Sequence, residues 1–80
     1  MGAESSDKIM VIVPAGVRGV NVREKPSLDS KILTYFWVTT RTNRLGETDG
    51  WTKIEIEVEK EGKKYTEGWV SSQLVKEVKE

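Results

Sequence analysis

Residues 52–59 read Thr-Lys-Ile-Glu-Ile-Glu-Val-Glu, and this strict alternation decides the fold class. Successive side chains of a β-strand point to opposite faces of its sheet. Regular extended backbone therefore puts Ile54, Ile56 and Val58 on a core face and the glutamates between them on a solvent face. The sequence predicts a strand at about 51–59.

The glutamate row indicates a charged surface rather than a site. Carboxylates two residues apart along a strand line up in a row and do not converge on one point. A hairpin turn at Glu61-Gly62 brings Lys63 and Lys64 back alongside the row, where their charges compete for the carboxylates. We therefore predict a solvated face here and no metal site.

Runs of β-branched residues bounded by Gly, Pro, Asp and Ser continue in both directions from this strand. Such runs indicate short strands, whereas helical periodicity is weak throughout. We expect strands at about 8–13, 20–22, 31–37, 39–45, 51–59 and 64–70. The pattern is typical of an all-β fold, a small barrel of about five to seven short strands.

Composition excludes most catalytic chemistry. The 80 residues contain no Cys and no His, which removes the thiolate nucleophile, the imidazole base and the commonest zinc ligand. Thirteen acidic side chains balance thirteen basic ones, so no overall field attracts nucleic acid or an anionic membrane. A carboxylate pair such as Asp29 with Asp49 is a poor catalyst, because turn sequences explain both residues. We expect no enzyme, no cofactor, no nucleic-acid partner and no membrane contact.

The longest apolar run, Ile9 to Val13, is ended by Pro14 and is too short for a membrane span or a signal peptide. The predicted organisation is a flexible N-terminal segment at 1–8, one domain at 9–75 and a charged tail at 76–80. We expect a monomer cut from a longer protein, whose export signal is missing from this chain.

Three blocks of sequence carry a family resemblance. They are Gly19-Val20-Asn21-Val22-Arg23-Glu24-Lys25-Pro26-Ser27, Asp49-Gly50-Trp51 and Gly68-Trp69-Val70-Ser71-Ser72-Gln73-Leu74-Val75. In this order and spacing they resemble the bacterial SH3 family over about 11–75. The resemblance implies an SH3-like barrel that binds ligands without catalysis, as part of an extracellular or cell-envelope protein of a bacterium.

The resemblance also implies a ligand groove along one side of the barrel. It assigns to that groove Asn21, Arg23, Trp51, Ser71 and Leu74. Eukaryotic SH3 grooves hold a Pro and a Tyr where this chain has Ser71 and Leu74. Recognition of Pro-rich motifs is therefore disfavoured, and a more polar ligand is favoured.

The alternation of side chains along the strand predicts that Trp51, the tryptophan assigned to the groove, lies outside the core. Trp51 lies three residues before Ile54, so its ring points to the opposite face and is at least partly exposed if the strand is regular. The alternative is that it caps the open end of the barrel. Asn21 and Arg23 can equally be ordinary outward residues of an edge strand. Trp69 is predicted to be structural, because its family counterpart packs against neighbouring strands.

Tyr35-Phe36-Trp37-Val38 departs from the family pattern, which has one apolar residue followed by Lys-Lys-Gly. Phe36 is expected to take the core position. Tyr35, Trp37 and Val38 then form a second candidate patch. One alternative is that the turn is rebuilt, and another is that Tyr35 and Trp37 cover the sheet.

In the strand predicted at 39–45, the side chains expected to face the core are polar. Thr40, Thr42 and Arg44 share the parity of Phe36, where an apolar row is expected. The register of this strand is therefore left open by the sequence.

Two functions compete. The first is a noncatalytic module that targets a cell-wall or cell-envelope protein to peptidoglycan, a use that the family resemblance implies. A groove with an aromatic wall, the Arg23 cation and hydroxyl groups suits a stem peptide or an amino sugar. The alternative is a protein-interaction module that docks on a neighbouring domain of its parent protein through Tyr35, Trp37 and Val38.

Overall fold

The computed structural model describes residues 8–78 of the chain. Its strands are β1 (Lys8–Val11), β2 (Val20–Arg23), β3 (Ile32–Phe36), β4 (Thr40–Thr48), β5 (Trp51–Lys60), β6 (Lys63–Ser71) and β7 (Val75–Glu77), and a 3₁₀ turn is formed by Ser72–Leu74. The seven strands lie in the order β3-β2-β6-β5-β4-β1-β7, and all pairs are antiparallel. The predicted all-β architecture is confirmed. No helix in the described part of the chain has the length and apolar character that crossing a bilayer requires.

Two tight turns set the pairing of β5 with its neighbours. Asp49 (φ 45°) and Gly50 (φ 83°) connect β4 to β5. Glu61 (φ 55°) and Gly62 (φ 77°) connect β5 to β6, as the sequence predicted. Positive φ at both central residues is typical of the type I′ turn, whose twist matches that of paired strands.

The core lies between the inner faces of β1, β2, β5 and β6. Its buried aliphatic side chains are Ile9, Val11, Val20, Val22, Ile54 and Val70. Phe36 packs against this cluster from β3, in the core position expected of it. Since valine and isoleucine dominate, the core is built from the residues that strands favour.

Burial along β5 follows the predicted alternation near its start and weakens toward its end. Ile54 is fully buried, whereas Ile56 and Val58 are half-buried. The pairing of β5 with β6 shifts register between Glu55 and Val58, so the far part of the hairpin contributes less to the core. Thr52 shares the inner face and is fully buried, which the sequence analysis did not anticipate.

The polar row of β4 faces inward, which gives the register that the sequence left open. Thr42 lies directly opposite Ile9, a fully buried residue. The Thr42 hydroxyl donates to the carbonyl of Glu55, and the Thr40 hydroxyl donates to the carbonyl of Val38 at 2.8 Å. Because these hydroxyls are paired with main-chain acceptors, threonines are tolerated where an apolar row was expected.

Both predicted domain boundaries fall inside strands. Lys76 and Glu77, assigned from the sequence to a tail at 76–80, lie in β7 and pair with β1. Lys8, assigned to a flexible segment at 1–8, is the first residue of β1. Lys76 and Glu77 are part of the sheet through the pairing of β7 with β1, and Lys8 is part of it through its pairing with Asn43 of β4. The rest of the two predicted segments lies outside the described residues.

At Gly68 of β6 there is no room for a methyl group. A Cβ atom there would overlap Val22 Cγ1 and would lie 3.1 Å from Ile56 Cδ1. We expect Gly68→Ala to lower the free energy of unfolding by about 1–3 kcal/mol, because the core must shift around the added methyl. Urea unfolding measures this loss.

Gly46→Ala is the matched control for that substitution. A Cβ atom at Gly46 would have Lys53 Cε as its nearest neighbour at 3.6 Å, an ordinary contact with a flexible side chain. The control should unfold within about 0.5 kcal/mol of the parent. Equal destabilisation by the two substitutions would contradict the close approach at Gly68.

An ion pair joins the segment before β3 to the tip of the β5–β6 hairpin. Lys31 Nζ lies 2.8 Å from Glu61 Oε1. The hydrogen bond from Lys31, together with its charge, lowers the pKa of Glu61, and the hydrogen bond to Glu61 raises the pKa of Lys31. The Glu61 contribution is present above the ordinary carboxylate pKa and is lost as pH falls through the lowered value. The Lys31 contribution is lost as pH rises through its raised pKa. Both groups are exposed, so water and salt screen the pair.

Replacing Lys31 with Met should return the pKa of Glu61 upward toward its ordinary value, because both the hydrogen bond and the charge are removed. An NMR pH titration of the Glu61 carboxyl carbon measures the change. Lys25→Met removes the same charge from the loop after β2 and should leave Glu61 unchanged. A Glu61 titration that is the same in the parent and in Lys31→Met would exclude the ion pair in solution.

Candidate functional site

One open groove is lined by side chains from β2, β5, β6 and the 3₁₀ turn. Among them are all of the predicted site residues, Asn21, Arg23, Trp51, Ser71 and Leu74. Gly19, Val20 and Leu28 complete the lining, and the groove has a volume of about 230 Å³. Residues from distant parts of the sequence are thus brought to one place.

Trp51 forms one wall of the groove from the first position of β5. It lies directly opposite Ser71 of β6 and is half-buried. The next residue, Thr52, is fully buried, so the indole lies on the outer side of the strand as parity predicted. A half-exposed indole beside an open groove offers a flat apolar surface for stacking.

Arg23 connects the groove to the loop that follows β2. Its Nη1 donates to Ser30 O at 2.9 Å. Ser30 Oγ in turn donates to Lys25 O at 3.0 Å and accepts from Lys25 N at 3.1 Å, which closes the loop on itself. A guanidinium has five N–H donors, so this bond holds Arg23 in position and leaves donors for a ligand.

The same loop brings Leu28 to the groove, with 75% of the residue exposed. Leu28 was not predicted from the sequence as a groove residue, although an apolar residue within the polar run Pro26-Ser27-Leu28-Asp29-Ser30 was a usable signal. Gly19 and Val20 were also missed. They line the groove because β2 begins beside it, and no local pattern in the sequence reports that.

The 3₁₀ turn after β6 is held by main-chain hydrogen bonds on both sides. Ser72 N donates to Gly50 O at 2.8 Å, which attaches the turn to the β4–β5 connection. Ile12 N donates to Leu74 O at 2.7 Å. The positions of Ser71 and Leu74 at the groove are therefore set by the backbone of neighbouring segments.

A pair of hydroxyls, on the buried Thr52 and the half-buried Ser72, supports this turn from the core side. Thr52 Oγ1 lies 2.7 Å from Ser72 Oγ and 3.4 Å from Glu47 Oε2. Thr52 is fully buried, and a hydroxyl removed from water needs such partners. The pair links the interior of β5 to the turn that carries Leu74.

Trp69 lies outside the groove. It is directly opposite Lys53 of β5 and Arg23 of β2 and is half-buried. Lys53 Nζ is 5.6 Å from the centroid of a Trp69 ring, within cation–π range, and 3.4 Å from Glu67 Oε1. These contacts cover part of the ring and agree with the structural role predicted for Trp69.

Tyr35, Trp37 and Val38 are exposed, by 50%, 68% and 69%. The Tyr35 and Trp37 rings are in contact, with centroids 5.4 Å apart and planes tilted by 45°. A Cβ atom added at Gly19 would lie 3.6 Å from Trp37 Cε3, so the indole lies beside this groove residue. The two rings, which we call the aromatic shelf, adjoin the groove and remain open to solvent.

The groove differs from other surface depressions in composition rather than in size. One depression of about 260 Å³ lies on the β5–β6 hairpin, and another of about 240 Å³ lies between β3, β4 and β5. The groove alone among these three contains an indole beside a guanidinium, an amide and a hydroxyl. Within residues 8–78 no group of three or more His, Cys, Asp or Glu side chains is placed to hold a metal ion.

A comparison with known protein families matches the part of the chain that forms the groove. The family model for the bacterial SH3 domain matches residues 18–76, a range that contains every groove residue. The chain belongs to the bacterial SH3 domain family. The predicted SH3-like barrel is thereby confirmed, and membership indicates a binding module. No curated protein and no solved structure matches this bacterial SH3 domain at a significant level.

Thr52→Val should destabilise the domain by about 1–2 kcal/mol, because the Ser72 hydroxyl loses a buried partner. The amide resonances of residues 71–74 should shift with it in an NMR spectrum, since the 3₁₀ turn loses its support. Thr66→Val, at an exposed position of β6, is the control and should change stability by less than about 0.5 kcal/mol. Unchanged stability and unchanged 71–74 amides in Thr52→Val would show that the hydroxyl pair does not hold the turn.

Proposed function

We propose that the groove binds the stem peptide of bacterial peptidoglycan and that the domain thereby targets a cell-wall or cell-envelope protein to the wall. The observation that carries the proposal is the meeting of Trp51, the Arg23 guanidinium and the Ser71 hydroxyl in one open groove. In this role the domain acts as a monomer, outside the cell or in its envelope, and performs no reaction itself.

The chemistry of the groove matches the groups that a stem peptide offers. A guanidinium binds a carboxylate through charge-assisted hydrogen bonds, and stem peptides carry free carboxylates. Trp51, Leu28 and Leu74 supply apolar surface for methyl and methylene groups. The Ser71 hydroxyl and the Asn21 amide can both donate to and accept from the amide groups of a peptide backbone.

A Pro-rich ligand fits this groove less well. Polyproline helices are recognised by rows of aromatic side chains, and Trp51 is the one aromatic residue in the groove lining. Ser71 and Leu74 give a mixed polar and aliphatic surface instead. The composition therefore favours a ligand with carboxylate, amide and aliphatic groups.

The affinity is expected to be weak. The groove is shallow and offers one stacking surface and one cation, so a dissociation constant on the order of 10 μM to 1 mM is expected. Such a module is useful because it is tethered: attachment to a catalytic domain and to a repetitive wall raises the effective concentration of the ligand.

Docking on a neighbouring domain is the second candidate function, and the exposure of Tyr35, Trp37 and Val38 is the observation that favours it. Docking through these three residues leaves the composition of the groove unexplained. Peptide binding accounts for the groove residues together, so we prefer it.

Titration of the ¹⁵N-labelled domain with purified stem peptide tests the proposal. Amide shifts should cluster at residues 21–23, 51 and 71–74. Trp51→Ala should raise the dissociation constant at least about fivefold, because the stacking surface is lost. Leu45→Ala changes an exposed apolar residue of β4 outside the groove and should leave the constant unchanged.

Two results would contradict peptide binding at the groove. One is the absence of any shift at millimolar stem peptide. The other is a set of shifts confined to residues outside the groove, with equal affinity in the parent and Trp51→Ala. Thermal unfolding of each variant establishes that the substitutions leave the barrel folded.

A further inference from the structure

We propose that the aromatic shelf formed by Tyr35 and Trp37 is a second subsite of the same surface, and that it stacks against a pyranose ring attached to the peptide in the groove. The inference rests on the proposed function, since the groove is taken to hold the peptide. It adds the chemical class of a second bound group and assigns it to residues that depart from the family pattern.

The shelf is continuous with the groove along β2. Tyr35 of β3 lies directly opposite Asn21, and Asn21 lines the groove. Directly opposite residues of paired strands have side chains on the same face, about 5 Å apart. Trp37 lies beside Gly19, which also lines the groove. A ligand that leaves the groove across β2 therefore meets the shelf next.

The shelf has the surface that a sugar ring prefers. One face of a pyranose presents C–H groups, which pack against the electron-rich face of an aromatic ring. The Tyr35 and Trp37 rings are both open to solvent and offer two such faces tilted by 45°. The Tyr35 hydroxyl can also exchange hydrogen bonds with sugar hydroxyls. Polar groups of the sugar stay in water, because the shelf is open rather than enclosed.

The area of the shelf suits a small group better than a folded domain. Two rings and the neighbouring Val38 cover a small part of the roughly 800 Å² that each partner buries in a standard protein interface. An interface of that size would have to include the groove as well. One or two sugar rings need no further surface.

Paired ligands test the subsite. The parent domain is titrated with the free stem peptide and with the same peptide carrying its amino-sugar disaccharide. The sugar-bearing peptide should bind about three- to tenfold more tightly, as expected for one aromatic stacking contact. Trp37→Ala and Tyr35→Ala should remove this advantage and leave the dissociation constant of the free peptide unchanged.

Conservative and neighbouring variants serve as controls. Trp37→Phe keeps a flat ring and should retain part of the advantage. Val38→Ala alters the same exposed stretch without touching either ring and should change neither constant. All of these positions are exposed, so the variants should keep the thermal stability of the parent. If Trp37→Ala unfolds, Tyr35→Ala carries the test.

The outcomes separate the subsite from the proposed function. Equal affinity of the two ligands for the parent would overturn the subsite and leave peptide binding intact. An advantage that persists in both alanine variants would also overturn it and would favour domain docking as the use of the shelf. Equal weakening of both ligands by the alanine variants would show that the shelf contacts the peptide, and it would overturn the sugar subsite. If the sugar-bearing ligand alone binds, and depends on Trp37, the shelf is supported and the groove assignment fails. If neither ligand binds, both proposals fail.

Discussion

The register of β5 is the constraint on which the groove depends. Type I′ turns at Asp49-Gly50 and Glu61-Gly62 fix this strand against β4 and β6. Thr52 and Ile54 then occupy the inner face, and Trp51 is left outside. A slip of one residue would exchange the two faces, burying the indole and exposing Ile54. The free energy of filling the core therefore also positions the indole that forms the groove wall.

Hydrogen bonds with main-chain partners hold the rest of the groove. The 3₁₀ turn is attached to Gly50 and Ile12 through backbone hydrogen bonds, and the loop after β2 is closed through Ser30. Among the groove side chains, Val20 belongs to the core and Leu74 packs against it, whereas Leu28 is mostly exposed. Replacing Leu28, for example, changes the apolar area of the groove without removing a core contact, because that residue is mostly exposed.

Side-chain alternation and turn chemistry predicted much of this structure from the sequence. Both are local: period two placed Ile54 inward and Trp51 outward, and Glu61-Gly62 predicted its hairpin. The inward row of β4 was not predictable from alternation, because the Thr42 hydroxyl is satisfied by the carbonyl of Glu55 on the neighbouring strand β5. Lys76 and Glu77 lie in a strand because they pair with the distant β1, although their charges resemble those of a solvated tail. Leu28 reaches the groove through loop closure, which no periodicity reports.

The pairing of β1 with β7 brings the two ends of the described chain together. Val78 N donates to Lys8 O at 3.2 Å, so the backbone enters and leaves the barrel at neighbouring points. A unit with adjacent ends can be inserted into a surface loop of a host protein with little distortion of that loop. In a tandem array the domain would project to one side of the connecting chain. Tension along the array would act first on the hydrogen bonds between β1 and β7.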